Sequence, residues 1–108
     1  MLRIYPVVVD WVVDLRPSLE AIGRRDRVLA DQLRRSSTSV VLNLAEGMGA
    51  VGAVKTNCYR VALREMRESM AAVEVAGRLG YVPALADTVA DRQDRIVGTL
   101  VRLSKLAS

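Results

Sequence analysis

Histidine and phenylalanine are both absent from this 108-residue chain, and cysteine occurs once. The missing imidazole removes the usual general base at neutral pH and the commonest metal ligand, so Ser-His and Cys-His nucleophile pairs and most zinc sites are excluded. The Arg-x4-His motif on which some helical RNases rely is excluded with them. Cys58 has no partner for an internal disulfide, which agrees with a reducing compartment, and its place in a helical pattern reads as a buried, structural thiol. Long apolar runs are missing too: Pro6–Val9 and Val40–Leu42 fall far short of the roughly 20 residues needed to span a bilayer. No charged-then-apolar leader opens the sequence, and the expectation is a cytoplasmic protein without a membrane partner. Gly47, Gly49 and Gly52 lack the following Lys-Ser/Thr and the preceding strand of a phosphate loop. Neither Glu46 nor the Glu65/Glu68 pair has an obvious second acid facing the same cleft for acid-base work. These absences point to a protein that is not an enzyme and needs no cofactor or metal.

What the chain has is apolar content, 51%, in a length that suits one domain over residues 1–108. Its periodicity is helical nearly throughout, and no segment alternates at period two. The first helix is predicted over Tyr5–Ile22, with Pro6 in its first turn, Gly23 as its stop, and a kink or interruption at Pro17. The second begins near Asp26, a plausible N-cap, and runs to Glu46 before Gly47, with 47–52 as a flexible joint. The third covers Ala53–Leu79 and stops at Gly80; the fourth runs from Pro83 to Leu106. Each carries an apolar stripe: Val8, Val12, Leu15 and Leu19; Leu29, Leu33, Val40 and Leu44; Cys58, Ala62, Met66, Val73 and Ala76; Leu85, Val89, Ile96, Leu100 and Leu103. Four such helices turned inward make an all-α, antiparallel, up-down-up-down four-helix bundle. Ser36, Ser37, Ser39, Ala62, Ser69, Ala72 and Ala76 let the second and third helices approach closely. Val9, Trp11 and Val13, with Val7, add apolar surface beyond the first helix's stripe and read as contacts to another subunit, and Val97 and Val101 add similarly to the fourth.

The basic side chains are fourteen Arg and two Lys, giving a net charge of +4. Arginine's planar fork suits phosphate and carboxylate partners better than a lysine point charge. Arg60, Arg64 and Arg67 fall at i, i+4 and i+7, on one face of the third helix. Folding the second and third helices about the glycine joint sets Arg64 level with Arg34 and Arg35. The acids Asp87, Asp91 and Asp94 lie too far along the fourth helix to cancel this stripe, apart from Asp94 beside Arg67, while Asp10 and Asp14 fall near Arg34. The expectation is a basic band of Arg34, Arg35, Arg60 and Arg64, extended by Arg67, with Arg24, Arg25 and Arg27 at one end and Lys55 in the joint. With one Trp and three unclustered Tyr there is no stacking platform, so nucleic-acid contact would be directed to the backbone and weakly sequence-specific. Glu46 sits near a helix C-terminus, unfavourable for the macrodipole, and implies a turn-fixing partner such as Lys55 or a backbone donor.

The run from Gln32 through Leu33-Arg34-Arg35-Ser36-Ser37 to Asn43-Leu44-Ala45-Glu46-Gly47, followed by Tyr59-Arg60-Val61-Ala62-Leu63-Arg64-Glu65-Met66-Arg67-Glu68 and Ala76-Gly77-Arg78-Leu79-Gly80-Tyr81, resembles a known signature. It is that of the four-helix-bundle family of 23S rRNA-intervening-sequence proteins and the accessory variability determinant of diversity-generating retroelements. The resemblance implies a homopentameric barrel of bundles in which Asn43, Glu46, Gly47 and Glu68 are structural motif positions. In the retroelement branch it further implies binding of a reverse transcriptase and of RNA or DNA through basic surfaces. A homo-oligomer whose arginines serve only subunit-to-subunit pairs is the alternative expectation.

Overall fold

The computed structural model describes residues 2–105. Among them are five helices and no strand: α1 (Ile4–Asp14), α2 (Arg16–Gly23), α3 (Arg27–Met48), α4 (Gly52–Arg78) and α5 (Asp87–Leu103). α1 and α2 together form the first arm of a four-helix bundle. Pro17 has no N–H to give to the carbonyl four residues back, and the ladder opens just ahead of it, at Leu15. Leu15 nevertheless keeps right-handed helical angles, its N–H bonds Trp11 O at 3.1 Å, and its carbonyl accepts from Leu19 at 2.8 Å. The interruption is therefore a local defect and not a turn.

α3 starts as expected. The Asp26 backbone is extended and its Oδ1 accepts from the Leu29 N–H at 3.0 Å, satisfying one of the donors that every helix start leaves open. Its end differs from expectation, because the helix runs through Gly47 to Met48 and only 49–51 separate it from α4. The 47–52 joint is thus a three-residue connection. Gly47 is buried inside α3 for a packing reason: a Cβ there would lie 2.6 Å from Tyr59 Cε1 and 3.1 Å from Cys58 Cβ. The missing side chain lets α3 and α4 close on each other.

That contact sets the register of the hairpin. The Ser36 and Ser69 hydroxyls are buried 2.7 Å apart, and each can also donate to a backbone carbonyl, Ser69 Oγ to Glu65 O at 2.9 Å and Ser36 Oγ to Leu33 O at 3.3 Å, so that two protons serve two of these three contacts at a time. Ser36, Ser37, Ala62, Ser69, Ala72 and Ala76 are all buried, as small residues between close helices should be, whereas Ser39 is half-buried. α4 ends in a Schellman turn, with Gly80 at φ +77°, Tyr81 N–H bonding Ala76 O at 2.9 Å and Gly80 N–H bonding Gly77 O at 3.1 Å. The segment 83–86 that follows is not helical, so Pro83 does not open α5, which begins only at Asp87. Buried Val82 anchors this strap. The expected helix end at Leu106 lies outside the described residues.

The core is built from the anticipated stripes, with Val8, Leu15, Leu33, Val40, Leu44, Ala62, Met66, Ile96 and Leu100 buried and Val12, Leu19, Leu29, Leu85, Val89 and Leu103 packed against them. Trp11 is the principal correction. It is fully buried, and its Nε1 donates to Gln93 Oε1 at 3.1 Å, linking α1 to α5. Its position completes the inward face, since Val8, Trp11 and Leu15 follow one another at i, i+3 and i+7. Trp11 is therefore a core residue and not a subunit contact. Val9 is half-buried and Val13 is 65% exposed.

Candidate nucleic-acid interface

The buried face of α4, through Cys58, Tyr59, Ala62, Met66, Ser69, Val73 and Ala76, fixes by helical geometry what the opposite face carries. That outward face presents Arg60, Arg64 and Arg67, all exposed. Arg78 belongs with them: it follows Arg60 by eighteen positions, five full turns, and so points in the same direction. Spacings of i+3 and i+4 from Arg67 do not reach Arg78; only the helical wheel carried through five turns from Arg60 does. The four guanidinium groups span about 27 Å of helix. None forms an ion pair among the described residues.

Ion pairs elsewhere account for much of the rest of the expected band. Arg35 reaches from α3 to two carboxylates of α4, Glu65 Oε2 at 3.4 Å and Glu68 Oε1. The pairing Ser36–Ser69 explains this, because its midpoint falls between residues 52 and 53, later along the chain than the glycine joint about which the arms were expected to fold. α3 stays helical past Gly47, the register shifts, and Arg35 meets acids where Arg64 was anticipated. Glu68 thus sits in a cross-helix ion pair, and Arg35 leaves the set of free cations. Arg34 pairs with Asp31 on its own helix at 3.1 Å, not with Asp10 or Asp14. Asp14 pairs instead with Arg92 of α5, in a half-buried contact between the first and last arms. Asp94 makes no ion pair with Arg67.

The remaining expected positions separate into two ends. At the α2–α3 turn Arg24, Arg25 and Arg27 are exposed, and the Arg25 guanidinium stacks over Tyr81 at 5.6 Å. That contact brings the turn to the C-terminal end of α4, the end that carries Arg78. At the opposite end Lys55 lies over the Tyr59 ring at 5.9 Å. It does not pair with Glu46, which is exposed and forms no ion pair among the described residues. The turn between α3 and α4 is held by the packing of Gly47 on Tyr59 and not by a salt bridge. Asn43 is half-buried and donates to Ser39 O at 2.9 Å and Ser39 Oγ at 3.0 Å, a contact within α3.

One acid shares the stripe's face: Glu74, exposed, stands four residues before Arg78 and forms no ion pair among the described residues. On α5 the exposed Asp87, Asp91 and Asp94 occupy the first half of the outer face, next to the positive end of the helix dipole. Between α4, the 83–86 strap and α5 lies an open groove of about 650 Å³, lined largely by apolar groups such as Met70, Ala71, Val73, Pro83 and Leu85. Gln93 also lines it, but its carbonyl oxygen is already engaged by Trp11. Among the described residues no group of three or more potential metal ligands forms, and no helix is long and apolar enough to cross a membrane.

A family model matches residues 8–101, from α1 to the last turns of α5, and its description is 23S rRNA-intervening sequence protein. The chain belongs to that family. A solved structure from Bacteroides thetaiotaomicron, a protein with unknown function from the S23 ribosomal protein family, superposes with a TM-score of 0.80. The two share 20% sequence identity, with 94% of this chain and 98% of that one covered, so the likeness concerns the fold. No curated protein matches the chain. The matched span holds every arginine of the α4 stripe and both helices of the close-packed hairpin.

Proposed function

We propose that this protein is a non-enzymatic nucleic-acid-binding protein whose α4 stripe, Arg60, Arg64, Arg67 and Arg78, grips the phosphodiester backbone. The observation that carries the reading is that these four exposed groups have no carboxylate partner among the described residues, while Arg34, Arg35 and Arg92 all have one. A row of guanidinium groups along one helix face attracts a polyanion and exchanges its counterions for phosphates. Arg24 and Arg27 extend the track at one end, while Arg25 and Lys55, each lying over a tyrosine ring, contribute less. The family's name, with its reference to rRNA, supports a nucleic-acid setting for a cytoplasmic protein.

Within the same proposal the working form is a homo-oligomer. Exposed Val13 and half-buried Val9 are surface for a second subunit, and the resemblance to the retroelement accessory protein favours five copies. Repeating the stripe around a ring multiplies its field, and such an assembly would dock a nucleic-acid enzyme, a reverse transcriptase in the retroelement case. The alternative is an oligomer without nucleic acid, and one observation favours it: Asp87, Asp91 and Asp94, exposed and without an ion pair among the described residues, offer counter-charges for the stripe of a neighbouring copy.

Charge reversal separates the two. Arg60→Glu/Arg64→Glu/Arg67→Glu is expected to abolish retention of labelled RNA and DNA in a gel while light scattering finds the oligomer intact. If the wild-type protein retards neither nucleic acid and the reversal dissociates the oligomer, the stripe is a subunit contact.

A further inference from the structure

Glu68 stands four residues after Arg64, the spacing at which a carboxylate and a guanidinium on one helix find each other, yet the two are not paired. Arg35 crosses from α3 and takes Glu68 through Nη2, and it takes Glu65 Oε2 through Nη1 at 3.4 Å. We infer that Arg35 is a positioning residue for the α4 interface: by holding the Glu68 carboxylate on the α3 side, it keeps Arg64 open to phosphate without touching the nucleic acid itself. The inference rests on the reading of α4 as a nucleic-acid interface.

Glu68 has two guanidinium groups to choose between. The pair with Arg64 would have the base N-terminal to the acid, the weaker order on a helix, and would be open to solvent. The cross-helix choice is favoured by geometry that the fold supplies. Ser36, the residue after Arg35, is tied to Ser69, the residue after Glu68, so the two helices have a contact that holds their register besides the ion pair. Arg35 also meets a second acid, Glu65, whose side chain is only 11% exposed and therefore poorly solvated by water. One planar fork answering two carboxylates uses the directional donors that a lysine lacks. What removes Arg35 from the contact set is thus occupancy and not burial, since its side chain is 58% exposed.

Without Arg35, the carboxylate of Glu68 has Arg64 as its nearest same-face partner, and an incoming phosphate must displace it. A stripe cation neutralised within the protein releases one counterion fewer on binding, so the signature lies in the salt dependence of affinity as well as in the affinity.

The test is a double-mutant cycle read by fluorescence anisotropy with a labelled short RNA duplex across a salt series. Arg35→Met is expected to weaken binding by about 3- to 10-fold and to reduce the magnitude of the slope of log K against log salt by roughly one phosphate's worth, ~0.7–0.9. Arg35→Met/Glu68→Gln is expected to recover both the affinity and the slope of the wild type. Far-UV circular dichroism checks that each variant is folded, and Arg35→Gln replaces Arg35→Met, with the same expectations, if the methionine variant is unstable. A loss from Arg35→Met that persists or grows in the Glu68→Gln background would mean that Arg35 meets phosphate directly and would overturn the inference, as would no loss at all. Binding that is absent in the wild type, or indifferent to reversal of Arg60, Arg64 and Arg67, overturns the interface and this inference with it. Stripe-dependent binding without rescue overturns the role of Arg35 alone.

Discussion

On the side of α4 that faces α3, polar groups are answered across the helix pair: Ser69 by Ser36, Glu65 and Glu68 by Arg35, while Gly47 makes room for the Tyr59 ring. On the side that faces solvent, four guanidinium groups form no ion pair among the described residues, even with Glu74 on the same face. Like charges at i and i+4 repel by a few tenths of a kcal/mol, so the outer face carries a small standing cost that the inner face does not. The difference teaches where to look for function. Fold requirements account for the inner residues one by one, and they account for none of Arg60, Arg64, Arg67 and Arg78.

Substitutions that act on one face alone sharpen this contrast. The largest effect on stability is expected from Met66→Ala, which empties a fully buried site in the middle of the inner face and should cost about 2–5 kcal/mol in urea unfolding. Next comes Gly47→Ala, whose added methyl meets the Tyr59 ring at 2.6 Å and should cost about 1–3 kcal/mol; the double change with Tyr59→Leu should recover part of it. Ser69→Ala takes from Ser36 one of its two hydroxyl partners and leaves the bond to Leu33 O, for about 1 kcal/mol. The smallest is Arg64→Ala on the outer face, expected to leave the unfolding free energy within about 0.5 kcal/mol of the wild type. A stability loss at Arg64 as large as that at Gly47 would erase the distinction between the faces.

Much of the inner face was legible in the sequence because hydrophobic period and packing are the same fact seen twice. The stripes through Leu33, Val40 and Leu44 and through Ala62, Met66 and Val73, and the Asp26 cap, follow from spacing that a helix can satisfy in one way. Trp11 was misassigned because the stripe of α1 was drawn too narrow, which left a large amphipathic ring looking like surplus surface until Gln93 supplied its hydrogen-bond acceptor. Gly47 was misread as a stop because a glycine needed for close approach and a glycine needed for a turn are the same letter; only the Tyr59 ring tells them apart. Pro83 misled in a similar way, since a proline that suits a first helical turn also suits the extended strap that it occupies here.

The candidate site was legible in part. The row Arg60, Arg64 and Arg67 follows from the helical period alone, whereas its membership beyond one helix depends on which residues of α3 stand at the same height. A register error of a few residues exchanges a repulsive neighbour for an attractive one, and that is what separates Arg35 from the band and brings Glu68 to it. Sequence spacing within a helix is rigid, but spacing between helices waits on small residues such as Ser36, Ser69 and Gly47, whose packing decides it.

The most direct test of the outer face as a phosphate-binding surface is the salt dependence of binding to a labelled RNA duplex by the wild type and by Arg60→Ala/Arg64→Ala/Arg67→Ala. The wild type should bind with a slope of log K against log salt steeper than that of the triple variant by about 2–3 units per stripe engaged. Equal slopes for the two proteins, or no binding by the wild type even at low salt, would contradict it.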